Sequence, residues 1–178
     1  MTAELIARVR KMTKDDLGTV LAWRNHPSIR NVMYTTDEIS MGEHQEWFKN
    51  REGDNKTRLL IFEVNEEPQG FINFRDVGRG GIVEWGFYLA PDAPRDNRRL
   101  FGRVTLKYAF ANLGAHKVCG QALVSNTRST RFHKILGFVS EGMFREQHFD
   151  GEKYHDVEYY GLLQSEWRAK MADEKGPA

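Results

Sequence analysis

Val124-Ser125-Asn126-Thr127-Arg128-Ser129-Thr130-Arg131-Phe132-His133-Lys134-Ile135-Leu136-Gly137-Phe138 is the stretch on which the reading of this 178-residue chain turns. It follows an apolar run and ends in a glycine where a helix should stop. A strand delivers a polar Asn at its exit, a short helix follows, and Gly-Phe closes it. That layout brings Asn126 and His133 toward one cleft, where a cofactor could be held and a proton moved.

Working outward, His116–Val124 reads as the strand that feeds this helix. Before it, Leu100, Val104, Leu106, Tyr108, Phe110 and Leu113 give one long helical pattern closed by Gly114. After it, Val139–Phe149 reads as a strand, Asp150-Gly151 as a hairpin turn, and Lys153–Leu163 as the returning strand. Upstream, Leu59–Val64 and Gly70–Arg75 form a hairpin across the turn Asn65–Gln69. Gly78–Gly81 makes the next turn, and Ile82–Leu89 is a strand ending before Pro91. Near the start, Ala7–Lys11 reads as an edge strand. Thr13 with Asp16 then caps a helix carrying Leu17, Val20, Leu21 and Arg24, which Pro27 ends. Ser40 with Glu43 caps a second helix through Met41, His44, Trp47 and Phe48. Seven strands and about four helices in this order predict an α/β (α+β) domain with a mixed, strongly twisted sheet. One domain is expected over residues 1–171, with 172–178 as a frayed, disordered tail.

Lys and Arg number 26 against 25 acidic residues, a balance that gives no support to a nucleic-acid binder. The single cysteine, Cys119, cannot form an internal disulfide, which fits a reducing compartment. The start lacks a signal peptide's apolar core and no stretch reaches membrane-spanning length. A cytoplasmic protein, without membrane or nucleic-acid partners, is expected. The six histidines, His26, His44, His116, His133, His148 and His155, show no ligand spacing, so no metal is expected. No Walker or dinucleotide fingerprint is present.

The order of elements and three segments resemble the GCN5-related N-acetyltransferase superfamily, GNAT, whose members use acetyl-coenzyme A. The segments are Glu84-Trp85-Gly86-Phe87-Tyr88-Leu89-Ala90-Pro91, the turn Pro94–Gly102, and Asn126–Phe138. A finer resemblance is carried by Trp23-Arg24-Asn25, Ile29-Arg30, Met33-Tyr34, and Ile39-Ser40 followed by Glu43-His44 and Trp47. This pattern is similar to the acetyltransferases of pseudaminic acid biosynthesis, on the route to flagellin glycosylation, which acetylate the 4-amino group of a UDP-linked 4-amino-4,6-dideoxy-N-acetyl sugar. Glu141–Glu146, Asp150-Gly151 and Tyr154–Val157 fit them, and fit equally the relatives that acetylate ribosomal-protein N-termini.

The resemblance implies a cofactor site at the backbone of Phe87, Tyr88 and Leu89, at the turn and helix start with Arg95, Arg98, Arg99, Leu100, Phe101 and Gly102, and at Asn126 and Arg131. The turn departs from the family's Gln/Arg-x-x-Gly-x-Gly/Ala, because only Gly102 remains. Glycines let the chain approach phosphate closely, and the arginines could compensate by charge or simply form a solvated helix start.

Acetyl transfer to an amine needs a base, donors for the oxyanion, and a proton for the leaving thiolate. Backbone N–H groups of Phe87–Leu89 are the expected oxyanion donors. Glu84 stands where such enzymes often carry a base acting through water, its basicity raised by burial; an outward-facing strand residue is the equal alternative. His133 occupies the place of the family's tyrosine and is expected to protonate the thiolate, or merely to lie against the cofactor. His44 is the third candidate, contacting the acceptor or relaying its proton. Arg24, Asn25, Met33, Tyr34 and Trp47 are the expected acceptor residues, although Trp23, Trp47 and Phe48 also read as core. Three acceptors stay open: a nucleotide-linked amino-sugar, favoured by Arg24, Arg30, Lys49 and Arg51; a protein N-terminus; and a polyamine. A coenzyme-binding sensor without turnover is the reading from a different class. A homodimer stays open.

Overall fold

The computed structural model describes residues 5–174. Seven strands are hydrogen-bonded in the order β1-β2-β3-β4-β5-β7-β6, with β1 Ala7–Lys11, β2 Thr57–Val64, β3 Glu67–Gly78, β4 Ile82–Leu89, β5 Lys117–Leu123, β6 Val139–Phe149 and β7 Tyr154–Leu163. Six helices accompany them: α1 Leu17–Asn25, α2 Pro27–Arg30, α3 Met41–Glu52, α4 Asn97–Lys107, α5 Thr127–Leu136 and α6 Gln164–Asp173. The chain gathers into two compact units, the first formed by residues up to Arg75 with Trp85–Tyr108, the second by Asp76–Glu84 with Ala109 onward.

In the first unit β1 runs antiparallel to β2, from Ala7↔Val64 to Lys11↔Leu60, at an edge of the sheet as its weak alternation predicts. The turn to β3 is tighter than expected. Asn65 and Glu66 take the left-handed conformation (φ 51° and 69°), so two residues suffice and Val64 already pairs with Glu67. One face of β2 sends Leu59 and Ile61 into a cluster with Met12, Leu17, Val20, Trp23 and Phe48 from the helical side. On the other face Phe62 meets Phe101 of α4 edge-on, ring centroids 5.2 Å apart. Ser40 caps α3 as its sequence predicts: its hydroxyl accepts the Glu43 N–H at 3.3 Å, and the Glu43 carboxylate accepts the Ser40 N–H at 2.8 Å.

β1 also delivers Arg8 and Arg10 to Glu63, which is only 2% exposed. Arg10 Nε donates to Glu63 at 2.7 Å, and its two terminal nitrogens fork onto Asp16, both at 2.8 Å. Arg8 Nε donates to the other Glu63 oxygen. Burial raises both carboxyls, but the guanidinium hydrogen bonds outweigh it and hold Glu63 and Asp16 below their ordinary values.

In the second unit Ile82–Glu84 run parallel to Lys117–Cys119, and β5 pairs antiparallel with β7 from Lys117↔Leu163 to Leu123↔Val157. β6 completes this unit, bulged between Phe144 and His148, where Glu146 turns left-handed and its N–H is taken by Asp156. Val118, Ala122, Leu136, Phe138, Tyr160, Leu162 and Trp167 are buried here.

Three expectations need correcting. Pro27 ends α1 but also opens α2, its fixed φ suiting the first helical position. The single helix expected through Leu113 is α4 followed by a π-helical turn, Tyr108–Asn112, which buries Ala109 and Phe110 and stacks Phe110 on Trp167. The third is α6, which the sequence pattern did not reveal; its last residues, Ala172 and Asp173, belong to the stretch expected to fray, while 175–178 lie outside the described residues.

Candidate active site

α1, α3, β3 and β4 build a pocket of about 370 Å³ in the first unit, lined by Arg24, Ile39, Glu43, His44, Trp47, Phe71 and Tyr88. Helical spacing on α3 turns Glu43, His44 and Trp47 to one side, and His44 stacks on Trp47 at 5.0 Å. Trp47 meets Phe71 edge-on and Phe71 lies against Tyr88 at 5.1 Å, so three aromatic rings form a continuous wall.

The loop before α3 is fastened by the two predicted acceptor residues of α1. Asn25 donates its amide to the Ile39 carbonyl at 2.7 Å and accepts the Ile39 N–H at 2.9 Å. Arg24 donates one terminal nitrogen to the Thr35 carbonyl at 2.7 Å, whereas its other terminal nitrogen is buried without a protein partner. Burial lowers this guanidinium's pKa, Tyr88 opposes the shift, and the like charge of Arg30 adds to it. Arg30 Nε is also buried and unpartnered. Asn25 is therefore a clamp on the loop, and Arg24 is the cation that lines the pocket. Met33 packs against the core cluster and Tyr34 is exposed.

His44 is 5% exposed and its Nε2 has no partner. Burial pushes its pKa down, partly offset by a hydrogen bond with the Leu17 backbone. A neutral imidazole results, with Nδ1–H assigned toward Leu17 and the Nε2 lone pair unused. The one carboxylate of the lining, Glu43, accepts through a single oxygen, Oε2, from the Ser40 N–H and, at 2.6 Å, from its hydroxyl, contacts that favour its ionised form. The pocket is thus aromatic and carries one underused cation, Arg24, and one carboxylate, Glu43.

At the start of α4 no side-chain cap is formed and no acid occupies the first turn. Asn97 is buried and donates to Gln69 at 2.7 Å, which fixes the turn against β3. Arg95, Arg98 and Arg99 cluster at this terminus, where helix N–H groups and cationic side chains together suit a pyrophosphate. Leu100 is half-buried, Phe101 is fully buried against Phe62 and Phe87, and Gly102 is buried. Phe101 serves the core.

In the second unit, Asn126 heads α5 as its sequence predicts, its side-chain oxygen accepting the Ser129 N–H at 3.1 Å. Gly137 ends α5 in the left-handed conformation, φ 96°. Arg131 is exposed. Glu84 is half-buried and accepts a hydrogen bond from Gln121 Nε2 at 2.7 Å.

His133 does not stand open to a cleft. It is 1% exposed, stacked on Tyr160 at 4.6 Å and 6° and met edge-on by Phe138, and its Nδ1–H is given to the Ser129 carbonyl at 2.8 Å. Burial pushes its pKa down to about 4, so near neutrality the ring is uncharged and has no proton to lend. Its partners are those of a packed core histidine. Because the unfolded chain takes up this proton near pH 6.5 and the folded chain only near 4, the contribution of His133 is full above 6.5 and is lost as pH falls through 4. The loss reaches about 3 kcal/mol. Thermal unfolding followed from pH 7 to pH 4 is expected to show a steep decline that His133→Phe flattens.

Among the described residues no group of three or more His, Cys, Asp or Glu side chains could hold a metal ion, and no helix is long and apolar enough to cross a membrane. Residues 7–139 match the acetyltransferase (GNAT) domain. The chain belongs to the GNAT acetyltransferase family. The reaction class of this GNAT enzyme is N-acetyl transfer from acetyl-coenzyme A. Over 163 residues it is 24% identical to a spermidine N(1)-acetyltransferase of Vibrio cholerae, covering 89% of this chain and 94% of that one. Over 129 residues it is 23% identical to the acetyltransferase PseH of Campylobacter jejuni, covering 72% and 80%. The crystal structure of the Vibrio cholerae spermidine N-acetyltransferase in complex with CoA and spermine superposes with a TM-score of 0.81 at 24% identity, covering 91% of this chain and 98% of that one. That likeness establishes a shared fold; the name of the Vibrio cholerae relative gives spermidine as its acceptor, and that of PseH gives none.

Sequence reasoning missed Phe71, Ile39 and the Tyr88 side chain as pocket walls. Tyr88 had a signal: an aromatic on the strand expected to meet the cofactor has a side chain as well as a backbone.

Proposed function

We propose that this GNAT enzyme acetylates an amine borne on a compact, anionic acceptor, and that a nucleotide-linked amino-sugar of the pseudaminic acid type is the best fit. The observation that carries this reading is Arg24. A guanidinium that lines the pocket with a buried, unpartnered nitrogen leaves a charged donor to be satisfied by a ligand. A polyamine would gain nothing from that cation and would turn instead to the Glu43 carboxylate, of which Ser40 holds one oxygen. The polyamine acceptor remains the second reading, supported by the resemblance to the Vibrio cholerae spermidine enzyme.

When bound, acetyl-coenzyme A supplies the activated acetyl group as a thioester. On this reading the uncapped start of α4 with Arg95, Arg98 and Arg99 holds the pyrophosphate, and Asn126 and Arg131 contribute polar contacts to the cofactor. Backbone N–H groups of Phe87, Tyr88 and Leu89 stabilise the developing oxyanion. Glu84 takes the proton from the acceptor's ammonium group through a water, freeing the amine lone pair to attack the thioester carbonyl; coenzyme A would leave as the thiolate and take its proton from solvent. The lone pair of His44 Nε2 accepts a hydrogen bond from the acceptor, and the Trp47, Phe71 and Tyr88 wall packs against its apolar face. Met33 and Tyr34 lie on the loop beyond α2 and complete the acceptor side.

Arg24→Met tests the reading. Loss of one charge-assisted hydrogen bond is expected to lower kcat/KM about 10- to 100-fold for a nucleotide-linked amino-sugar. The expected change is in KM, with kcat and the affinity for acetyl-coenzyme A retained. An unchanged KM in steady-state kinetics would remove Arg24, and with it the anionic acceptor.

A further inference from the structure

We propose that Gln121 of β5 is the positioning residue for the general base. The inference rests on Glu84 acting as that base. Glu84 follows Val83 out of the parallel ladder between β4 and β5, opposite Cys119, and Gln121 stands two residues further along the same face of β5. From there its Nε2 donates to Glu84 Oε1 at 2.7 Å. Both side chains are half-buried, so the bond is formed where water competes less than at an open surface.

The bond gives the base its direction. It holds one carboxylate oxygen, which fixes the way the other oxygen and its lone pairs point. Amide chemistry matters here: a carboxamide offers a donor that never titrates, so this contact persists at every working pH.

The other titratable groups on this face are arranged so as not to replace it. Cys119, opposite Glu84, has its thiol pushed up by burial and stays protonated at neutral pH. The Lys117 ammonium is bound to Glu141 at 2.7 Å, and the pair lies over Gly161 on β7, where an added Cβ would strike the Glu141 carboxylate. Tyr159 of β7 is the register partner of Gln121 and lies tilted against Phe144, ring centroids 4.3 Å apart. Gln121 is the group in this set that donates to the base.

Gln121→Met keeps length and removes the donor, and Gln121→Glu keeps shape and sets a second carboxylate beside the first. Turnover is measured by coenzyme A thiol release from pH 5.5 to 10, alongside Glu84→Gln and the double variant Glu84→Gln/Gln121→Met. Gln121→Met is expected to lower kcat about tenfold at pH 7 and to change the pH profile of kcat/KM. Gln121→Glu should change both further, and KM for acetyl-coenzyme A should stay within about twofold in both. The double variant is expected to match Glu84→Gln alone, because a positioning residue has nothing left to position. Wild-type kcat and pH profile in Gln121→Met and Gln121→Glu, with Glu84→Gln inactive, overturn the role of Gln121 and leave the base in place. Wild-type turnover and pH profile in Glu84→Gln overturns the base itself, and the inference with it.

Discussion

Glu84→Gln is expected to lower kcat by about 10²- to 10⁴-fold, the range a positioned general base contributes, while calorimetric affinity for acetyl-coenzyme A stays unchanged. An amine acceptor is an ammonium at neutral pH and is no nucleophile until it loses a proton. A carboxamide is nearly isosteric with the carboxylate, so the β4–β5 ladder beside it is undisturbed. What disappears is the ability to hold a proton. The pH profile of kcat/KM should then follow the deprotonation of the acceptor amine alone, climbing as free amine becomes available. A variant with wild-type kcat and an unaltered profile would return Glu84 to the ordinary role of a half-exposed strand residue.

The second large effect is on stability. Arg10→Met is expected to destabilise the protein by about 3–5 kcal/mol, the loss seen when one member of a buried ion cluster is removed. Glu63 and Asp16 are 2% and 6% exposed, and Arg10 reaches both carboxylates with three nitrogens at 2.7–2.8 Å. Without it Asp16 keeps only Thr13, and Glu63 keeps only Arg8, whose side chain is 56% exposed. The pH dependence gives the cause its signature. Both carboxyls are held below their ordinary values of 3.8 and 4.5, so the stability they contribute is present above those values and is lost as pH falls through the lowered ones. The gap between wild type and Arg10→Met in urea denaturation should therefore be widest near pH 7 and should close as pH falls through those lowered values. A gap that does not change with pH would point to lost packing of the arginine stem instead.

Much of the fold was legible because its boundaries are made by local chemistry. The Ser40–Glu43 box starts α3, Asn126 starts α5, and Gly137 stops it in a conformation that side-chain-bearing residues seldom adopt. Strand β1 runs over the residues that weak alternation marked, and β6 over those between the helix stop and the Asp150-Gly151 turn. What was illegible lacks such marks. α6 buries Trp167 and carries almost no apolar stripe, so periodicity gave it no signal. The π-helical turn after α4 depends on where Phe110 finds Trp167, a contact between distant parts of the chain.

For the site, Arg24, His44 and Trp47 were expected on the acceptor side from the family resemblance, spacing alone leaving His44 structural and Trp47 in the core, and the structure brings all three to one pocket. Phe71 and Tyr88 complete it from strands, and only the tertiary fold sets them beside α3. His133 shows the opposite failure. Its place in the motif suggested chemistry, yet its spacing also gives the answer found. It lies three residues before Leu136, on the same helix face, and that face is buried. A motif position fixes where a residue stands in a family, whereas burial decides whether it can exchange a proton.

The central claim, acetyl transfer to an amine on an anionic acceptor, is tested most directly by coenzyme A thiol release with acetyl-coenzyme A and three acceptors at equal concentration. These are a UDP-linked 4-amino-sugar, spermidine, and a peptide with a free N-terminus. The account predicts the highest kcat/KM for the UDP-linked amino-sugar. Preferred turnover of spermidine, with the nucleotide sugar neither acetylated nor inhibitory, would contradict it.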